Sequence, residues 1–572
     1  MLTLGDNITI IVCIIAVFAA GRLMGKMSDD MESFYHANKA LPWSLAVGTL
    51  AASWYGGNGT IGTVGYATTM GVAAFFIWSI GAHLVRFPLA LWIAPKISIK
   101  VNSTMTELLE RFYGKFAAIL GAIVLVISSL SISEIAATGY IGEAAWGMNK
   151  YVVATIAIII SILLTCIGGL MGVAITDMLF FFFMLLAVSL VFPGLFREVG
   201  GFAGIQAGLD AIDPSLMTPF GGISFGRALV LILICINVYK DPAFYQRFTA
   251  SNGPKTGKRA MLTCFSIWMS MDACLMFAAM VVRTIDPEQL IQPEVEYVQL
   301  VLANLPVVMR GLFIFGMLGA IISTIDSYYL IGGEILSNDV INKLRKVPLT
   351  DKQSISITRV ACVIFGIIGL TSAFMFPLVY DAMIFLSSIS MSVLFWPVII
   401  AIMYEGKKTN VAGVASMVTG AISWIFFTYV SPLTVGFLGG EVDAMLASLP
   451  ISLIAFLVGN RFGTELNQGF AAVAGATGET VAYGGMTPAE YHEQTKVEWF
   501  GVDGALCLLY AVLAIIYSWG IMNRIDWVIG YMAPAVAAGM TIIIFCRYIY
   551  EVFKFGFGAK ALQEEKRAMR GK

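Results

Sequence analysis

The sequence predicts an all-α polytopic membrane protein of about fifteen spans. It is organised as a five-plus-five inverted repeat, with one helix before the repeat and about four after it. Three observations lead there. Of 572 residues, 58% are hydrophobic and only 12% are Asp, Glu, Lys or Arg, about half the roughly 25% of soluble domains. Mean hydropathy is +0.84, which excludes a water-soluble globule. Apolar runs of about 20 residues, the length that crosses a hydrocarbon core, recur along the chain, and two of them are interrupted at matching places five spans apart.

The runs, cut at charges, prolines and glycine clusters, fall near 8–24, 45–68, 72–98, 116–146, 151–170, 173–195, 224–247, 260–282 and 309–338. They continue near 356–375, 379–404, 410–430, 444–459, 500–519 and 528–548. The first lacks a basic leader and a small-residue cleavage pattern, and Arg22 and Lys26 follow it, so it reads as a retained helix. Alternate connections collect most of the basic residues: Arg22, Lys26 and Lys39; Lys96, Lys100, Arg111 and Lys115; Arg247, Lys255, Lys258 and Arg259. The same set includes the group around Lys343 to Arg359, Lys407 and Lys408, Arg461 and Lys496, and the tail. The other side holds only Lys150, Arg197, Arg227, Arg283, Arg310 and Arg524. The positive-inside rule then places the N-terminus outside and the C-terminus in the cytoplasm of a plasma (inner) membrane.

The resulting division is 1–44 (first helix and loop), 45–195 (first half), 196–223 (outer loop) and 224–404 (second half). After it come 405–460 (two accessory helices), 461–498 (polar cytoplasmic segment), 499–549 (two helices) and 550–572 (tail). Within the polar segment, Thr487-Pro488-Ala489-Glu490 has the form of a helix start, a capping hydroxyl with Pro first and Glu third. A net charge of −1 gives no reason to expect nucleic acid. The eight cysteines all lie in apolar runs and read as packing residues.

Ionisable residues inside spans are expensive and therefore functional candidates: Glu134, Asp177, Lys240, Asp241, Asp272, Asp326 and Glu334. The competing reading for each is a structural partner of a broken helix. Ala320, Ser323, Thr324 and Ser327 recur at i, i+3, i+4 and i+7, one helical face of small and hydroxyl side chains. Such a stripe suits close helix packing and equally offers oxygens to a hard cation. The second run reads Ala51-Ala52-Ser53-Trp54-Tyr55-Gly56-Gly57-Asn58-Gly59-Thr60, and its three glycines and Asn weaken the helix in mid-span. Irregular backbone at membrane depth survives only where it is buried in protein or lines a cavity, and unwinding frees carbonyls that bind alkali cations. The seventh run carries the corresponding break at Lys240-Asp241-Pro242.

These residues resemble the sodium/solute symporter family, which includes proline, pantothenate, sugar and choline transporters. The likeness rests on Asp30…Phe34-Tyr35…Leu41-Pro42-Trp43, Ala52-Ser53-Trp54-Tyr55-Gly56-Gly57 and Gly168-Gly169…Thr176-Asp177. Gln246-Arg247-Phe248 and Ala320…Ser323-Thr324…Asp326-Ser327 complete it, so that it covers about residues 8–460. The resemblance implies a leucine-transporter-like core and a sodium site formed by the carbonyls of Ala52, Tyr55 and Ala320 and the hydroxyls of Ser323 and Thr324. It also implies a second sodium site at Asp177 and Ser327, with Thr176 and Asp326 close by. Its departures matter: relatives carry Gly-x-Pro-His or an aromatic residue where this chain has Tyr239-Lys240-Asp241-Pro242-Ala243, and choline-type members have an aromatic near Glu134.

The expectation is sodium-coupled symport of a small polar organic solute, an amino acid or other zwitterion or amine, by alternating access. Trp54, Gly57 and Trp78 would border the solute, Glu134 and Asp241 would hold an amine, and Lys240 a carboxylate. Two alternatives use the same scaffold: a solute sensor, although no output domain follows Arg547, and an uncoupled uniporter. An enzyme is disfavoured, since the only histidines are His36, His83 and His492 and no nucleophile motif occurs.

Overall fold

The computed structural model describes residues 2–25, 31–101, 104–285, 292–376, 378–404, 406–435, 440–441, 443–465 and 487–555. Most of the expected polar segment 461–498 therefore lies outside the described residues. Among the described residues the chain is almost wholly helical, with one short antiparallel pair, β1 (Thr434–Val435) and β2 (Gly440–Glu441).

Eleven described helices are long and apolar enough to cross a membrane, or twelve with the pair Phe225–Lys240 and Pro242–Ala250, which is bent by 45°. Three of the expected runs lie outside that count. The first lies in a helix that runs Leu4–Gly25, and the fifth is the start of the long helix Lys150–Glu198. The second is broken into α2 (Trp43–Trp54) and α3 (Thr63–Met70), after α1 (Leu4–Gly25). There follow α4 (Phe75–Lys100), α5 (Met105–Ser128), α6 (Ile132–Trp146) and α7 (Lys150–Glu198). The bent pair is α8 (Phe225–Ile234), continued by a tight turn, and α9 (Pro242–Ala250). Next are α10 (Pro254–Ile285), α11 (Pro293–Asn304), α12 (Met309–Glu334), α13 (Asp351–Ser372) and α14 (Val379–Met403). The last are α15 (Asn410–Ile425), α16 (Met445–Phe462), α17 (Pro488–Thr495), α18 (Val502–Met522) and α19 (Ala533–Phe555).

Within α7 the fifth and sixth runs meet at Gly169, where φ is 52° and ψ −164°. That conformation strains any L side chain, and a Cβ there would stand 2.7 Å from the Phe34 carbonyl oxygen. α12 lies tight against α7 because Gly316 and Gly319 face Met184 and Phe180, with Cβ positions 2.8 Å and 2.0 Å from those residues. α10 is the central post, with Ala260 to Val282 buried throughout.

Loop contacts sort the connections into two sets. In one, Lys258 pairs with Asp503 at 2.5 Å, Lys343 with Glu110, and the Lys100 ammonium lies 5.6 Å from the Tyr491 ring. In the other, the Leu2 N–H donates to the Ala145 carbonyl, Val308 to Asp6, Val72 to Leu216 and Phe202 to Asp526. The first set carries Lys100, Lys258 and Lys343, all counted on the basic side. The capping box expected at Thr487 is present and starts α17.

Candidate functional site

The second span breaks where its sequence cannot sustain a helix. α2 ends at Trp54, Tyr55 leaves helical geometry at φ −88° and ψ 43°, and the chain resumes as a wide turn over Asn58–Gly62. The freed polar groups find partners at once. Glu134 of α6 accepts the Gly57 N–H on one carboxylate oxygen and the Asn58 side-chain amide on the other at 2.7 Å. A Cβ at Gly56 would stand 2.4 Å from Glu134 Oε2 and 2.6 Å from Thr324 Oγ1, so only glycine lets these groups close on the break.

The hydroxyl stripe of α12 faces that break. Thr324 Oγ1 donates within reach of the Ala52 carbonyl at 3.2 Å and the Ala320 carbonyl at 3.0 Å, and Ser323 Oγ reaches the latter at 2.9 Å. Ala52, Ala320, Ser323 and Thr324 are thus gathered in one buried place. Carbonyls and hydroxyls on two facing helices, one of them unwound, form a donor set suited to an alkali cation. Tyr55 stands at the break itself, and its phenol points to α10, donating to the Trp268 carbonyl at 2.7 Å and Asp272 Oδ1 at 2.6 Å.

The second expected set gathers around a residue that the sequence reading counts with the basic connections and in the family resemblance, but not in a site. Arg247 at the end of α9 is fully buried and lies 3.6 Å from Asp177 Oδ2, and the same guanidinium nitrogen donates to Ser327 Oγ. Thr49 Oγ1 donates to that Asp177 oxygen at 2.5 Å, and Ser327 donates to the Ser323 carbonyl at 2.7 Å, which links the two sets. Asp177 Oδ1 and Asp326 Oδ2 are buried with no hydrogen-bond partner among the described residues. One guanidinium therefore faces two carboxylates, Asp177 and Asp326. Thr176 does not join them; its hydroxyl bonds back to the Val173 carbonyl at 2.9 Å.

A cavity of about 90 Å³ lies beside these groups, bordered by Ser53, Trp54, Asn58, Trp78, Glu134, Lys240, Asp241 and Thr324 among others. At roughly 10–15 Å³ of such space per water it admits a small organic solute. Thr324 belongs both to its wall and to the first set. Gly57 acts at one remove, through its N–H on Glu134. The Lys240 ammonium is buried and donates to Ser390 Oγ at 2.5 Å, and among the described residues no carboxylate lies within 4.0 Å of it. Asp241 is largely occupied: Oδ1 caps α9 through the N–H groups of Ala243 (2.8 Å) and Phe244 (3.3 Å), and Oδ2 accepts the Tyr328 hydroxyl at 2.6 Å. The Trp54 ring carries the guanidinium of Arg86 at 3.7 Å from its centroid, so that face is closed to a solute ammonium. Glu334 stands apart, with Oε1 3.3 Å from His36 Nε2.

Arg86, Arg247 and Tyr328 are the site residues that sequence reasoning misses. Arg86 is an intramembrane charge, a signal present in the chain; Arg247 is counted there with the basic connections, and Tyr328 carries no signal.

The chain is similar in sequence and fold to known transporters. The sequence model described as "Sodium:solute symporter family" matches residues 34–420. The chain is 24% identical over 487 residues to a protein described as a sodium/pantothenate symporter of Haemophilus influenzae, covering 81% of this chain and 97% of that one. It is 22% identical over 416 residues to the high-affinity proline transporter PutP of Bacillus subtilis, covering 70% and 88%. Among solved structures, that of a Na+-coupled sialic acid symporter in a substrate-bound outward-open state superposes with a TM-score of 0.69 at 14% identity, over 82% of this chain and 99% of that one.

Proposed function

The chain belongs to the sodium:solute symporter family, and from that premise we propose that it imports a small polar zwitterionic solute together with sodium by alternating access. The observation that carries this reading is the meeting of the Ala52 and Ala320 carbonyls with Thr324 at the border of the solute cavity. Sodium there would pin the broken second span to α12, and its binding would shape the wall that the solute meets. A ligand shifts a conformational equilibrium only by its differential affinity for the two states, and a residue common to both sites supplies that coupling.

Charge balance supports two sodium ions. Around the three groups of residues, the buried cations Arg86, Lys240 and Arg247 face the buried carboxylates Glu134, Asp177, Asp241, Asp272 and Asp326. An uncompensated charge in the interior is strongly unfavourable; were all five carboxylates ionised, two monovalent cations would cancel the excess of two. The second ion fits at Asp177, Asp326 and Ser327, where two carboxylate oxygens lack partners and Arg247 supplies only one positive charge. With both ions bound the solute is neutral overall. Lys240 would hold its carboxylate; the free oxygens of Asn58 and Asn237, with Glu134 behind them, would receive its amine. Each sodium entering a negative interior contributes about 2.3 kcal/mol per 100 mV.

In this reading the five-plus-five repeat spans 45–195 and 224–404, the N-terminus faces outward and the basic face lies in the cytoplasm. A thermal-shift screen of amino acids, betaines and organic acids on the purified protein, in sodium and then in potassium, tests it. Stabilisation by a zwitterion in sodium only is expected, and equal stabilisation in both salts would refute the coupling. Lys240→Met should raise the half-saturating solute concentration about 10–100-fold, the value of a hydrogen bond to a charged group, with the sodium response retained.

A further inference from the structure

Asp272 of α10 takes no part in either ion set as described, yet it holds the residue at the centre of the break. Resting on the symport reading above, we propose that Asp272 is a positioning residue which, through the Tyr55 phenol and the Arg86 guanidinium, fixes the two consecutive residues at which the second span opens and so sets sodium affinity.

The grip on Tyr55 is direct. Its hydroxyl lies 2.6 Å from Asp272 Oδ1 and 2.7 Å from the Trp268 carbonyl, both on α10, and the tyrosine and the aspartate are buried. A phenol has one proton, so the two acceptors share it, and either choice anchors the ring to α10. The ring also packs where the helix reforms, since a Cβ at Gly59 would stand 3.0 Å from Tyr55 Cδ1. With its side-chain end held and its ring wedged, Tyr55 has little freedom to change the main-chain angles of −88° and 43° at which the helix opens.

The grip on Trp54 is indirect. Arg86 of α4 acts electrostatically on Asp272 and stacks on the Trp54 ring at 3.7 Å. Its Nε donates to the Cys235 carbonyl at 2.9 Å, on the turn that continues α8 towards the other broken span's bend. Trp54 borders the solute cavity, and Tyr55, next in the chain, carries one of the carbonyls that the family resemblance assigns to the ion. One carboxylate on the central post thus steadies the cavity wall and the ion-facing main chain together. The contact it makes is to the phenol, not to the carbonyls, which makes it a support of the site and no part of its ligand shell.

The test titrates sodium chloride against a potassium chloride background and follows thermal stabilisation of the purified, full-length protein, with Tyr55→Phe, Asp272→Ala, Asp272→Asn and the Tyr55→Phe/Asp272→Ala pair. Tyr55→Phe and Asp272→Ala should each raise the half-stabilising sodium concentration about tenfold. The pair should be no worse than either alone, because both remove the same tether. Asp272→Asn keeps an acceptor oxygen and should shift it less than threefold. The melting temperature in potassium alone should change far less than the sodium response, a split that mere loss of packing does not produce. Should Asp272→Ala fail to fold, Tyr55→Phe, which removes a single oxygen, carries the test. Single variants within twofold of the parent, or a pair whose effects multiply, would overturn the tether while leaving symport intact. A parent protein indifferent to sodium would sink the symport reading and the tether with it, a result recognisable from the parent alone.

Discussion

Gly56→Ala probes the contact on which the proposed sodium coupling rests. Its Cβ would stand 2.4 Å from Glu134 Oε2 and 2.6 Å from Thr324 Oγ1, where ordinary contact begins near 3.4 Å. The two groups must therefore retreat by about 0.8 to 1 Å, and neither is a loose end. Glu134 is held by the Gly57 N–H and the Asn58 amide, and Thr324 lies against the Ala52 and Ala320 carbonyls. A misplacement of about 1 Å in a preorganised site weakens its function on the order of 100-fold. Gly56→Ala should accordingly lower sodium-stimulated uptake into proteoliposomes about 100-fold, and remove sodium-induced thermal stabilisation, while the protein still inserts. Gly194→Ala and Gly539→Ala are the controls, since nothing lies within 4 Å of a Cβ at either. Sodium dependence unchanged in Gly56→Ala would refute the proposed meeting of the broken span with α12.

Four further outcomes are expected. Ser323→Ala with Thr324→Ala should abolish sodium stimulation of uptake without loss of protein from the membrane, measured by transport under sodium and potassium gradients. Asp177→Asn should change either the charge moved per solute or the apparent sodium affinity, read from current and flux together; if both stay constant, the second ion site is wrong. Asp503→Asn should destabilise the protein by about 3 kcal/mol in thermal unfolding, because it strips the fully buried Lys258 of its carboxylate. Glu294 on α11, outside the spans, is pushed by burial from 4.5 up to about 7. The folded state keeps this proton while the unfolded chain releases it, so its stabilising contribution is complete below about 4.5 and is lost as pH rises through about 7. Glu294→Gln should flatten the fall in melting temperature over that window.

Much of this protein is legible in its amino-acid sequence. Glycines in a span, a Lys-Asp-Pro interruption and a hydroxyl stripe at helical spacing are local signals, and the gathering of Ala52, Ala320 and Thr324 and most of the cavity border follow from them. The roles within the set are less legible. Asp241 is expected to hold an amine, but it caps α9 and accepts from Tyr328, because the nearest unpaired N–H groups claim a carboxylate at a helix start. Trp54 is expected to offer a face to the solute; Arg86 lies on it. The second run, one apolar stretch by hydropathy, is two helices with a break between them.

Hydropathy, charge alternation and the placing of glycine and proline are properties of single segments, so the chain alone determined a membrane bundle with two interrupted spans and an oxygen-bearing helix face. Which buried charge meets which is a property of segments far apart in sequence. Only the packed bundle could set Arg247 between Asp177 and Ser327, bring Asp272 to the phenol of Tyr55, and leave Lys240 at the cavity wall donating to the Ser390 hydroxyl. In a medium without water each such charge must be answered by a neighbour or a ligand, and the neighbours are chosen in three dimensions.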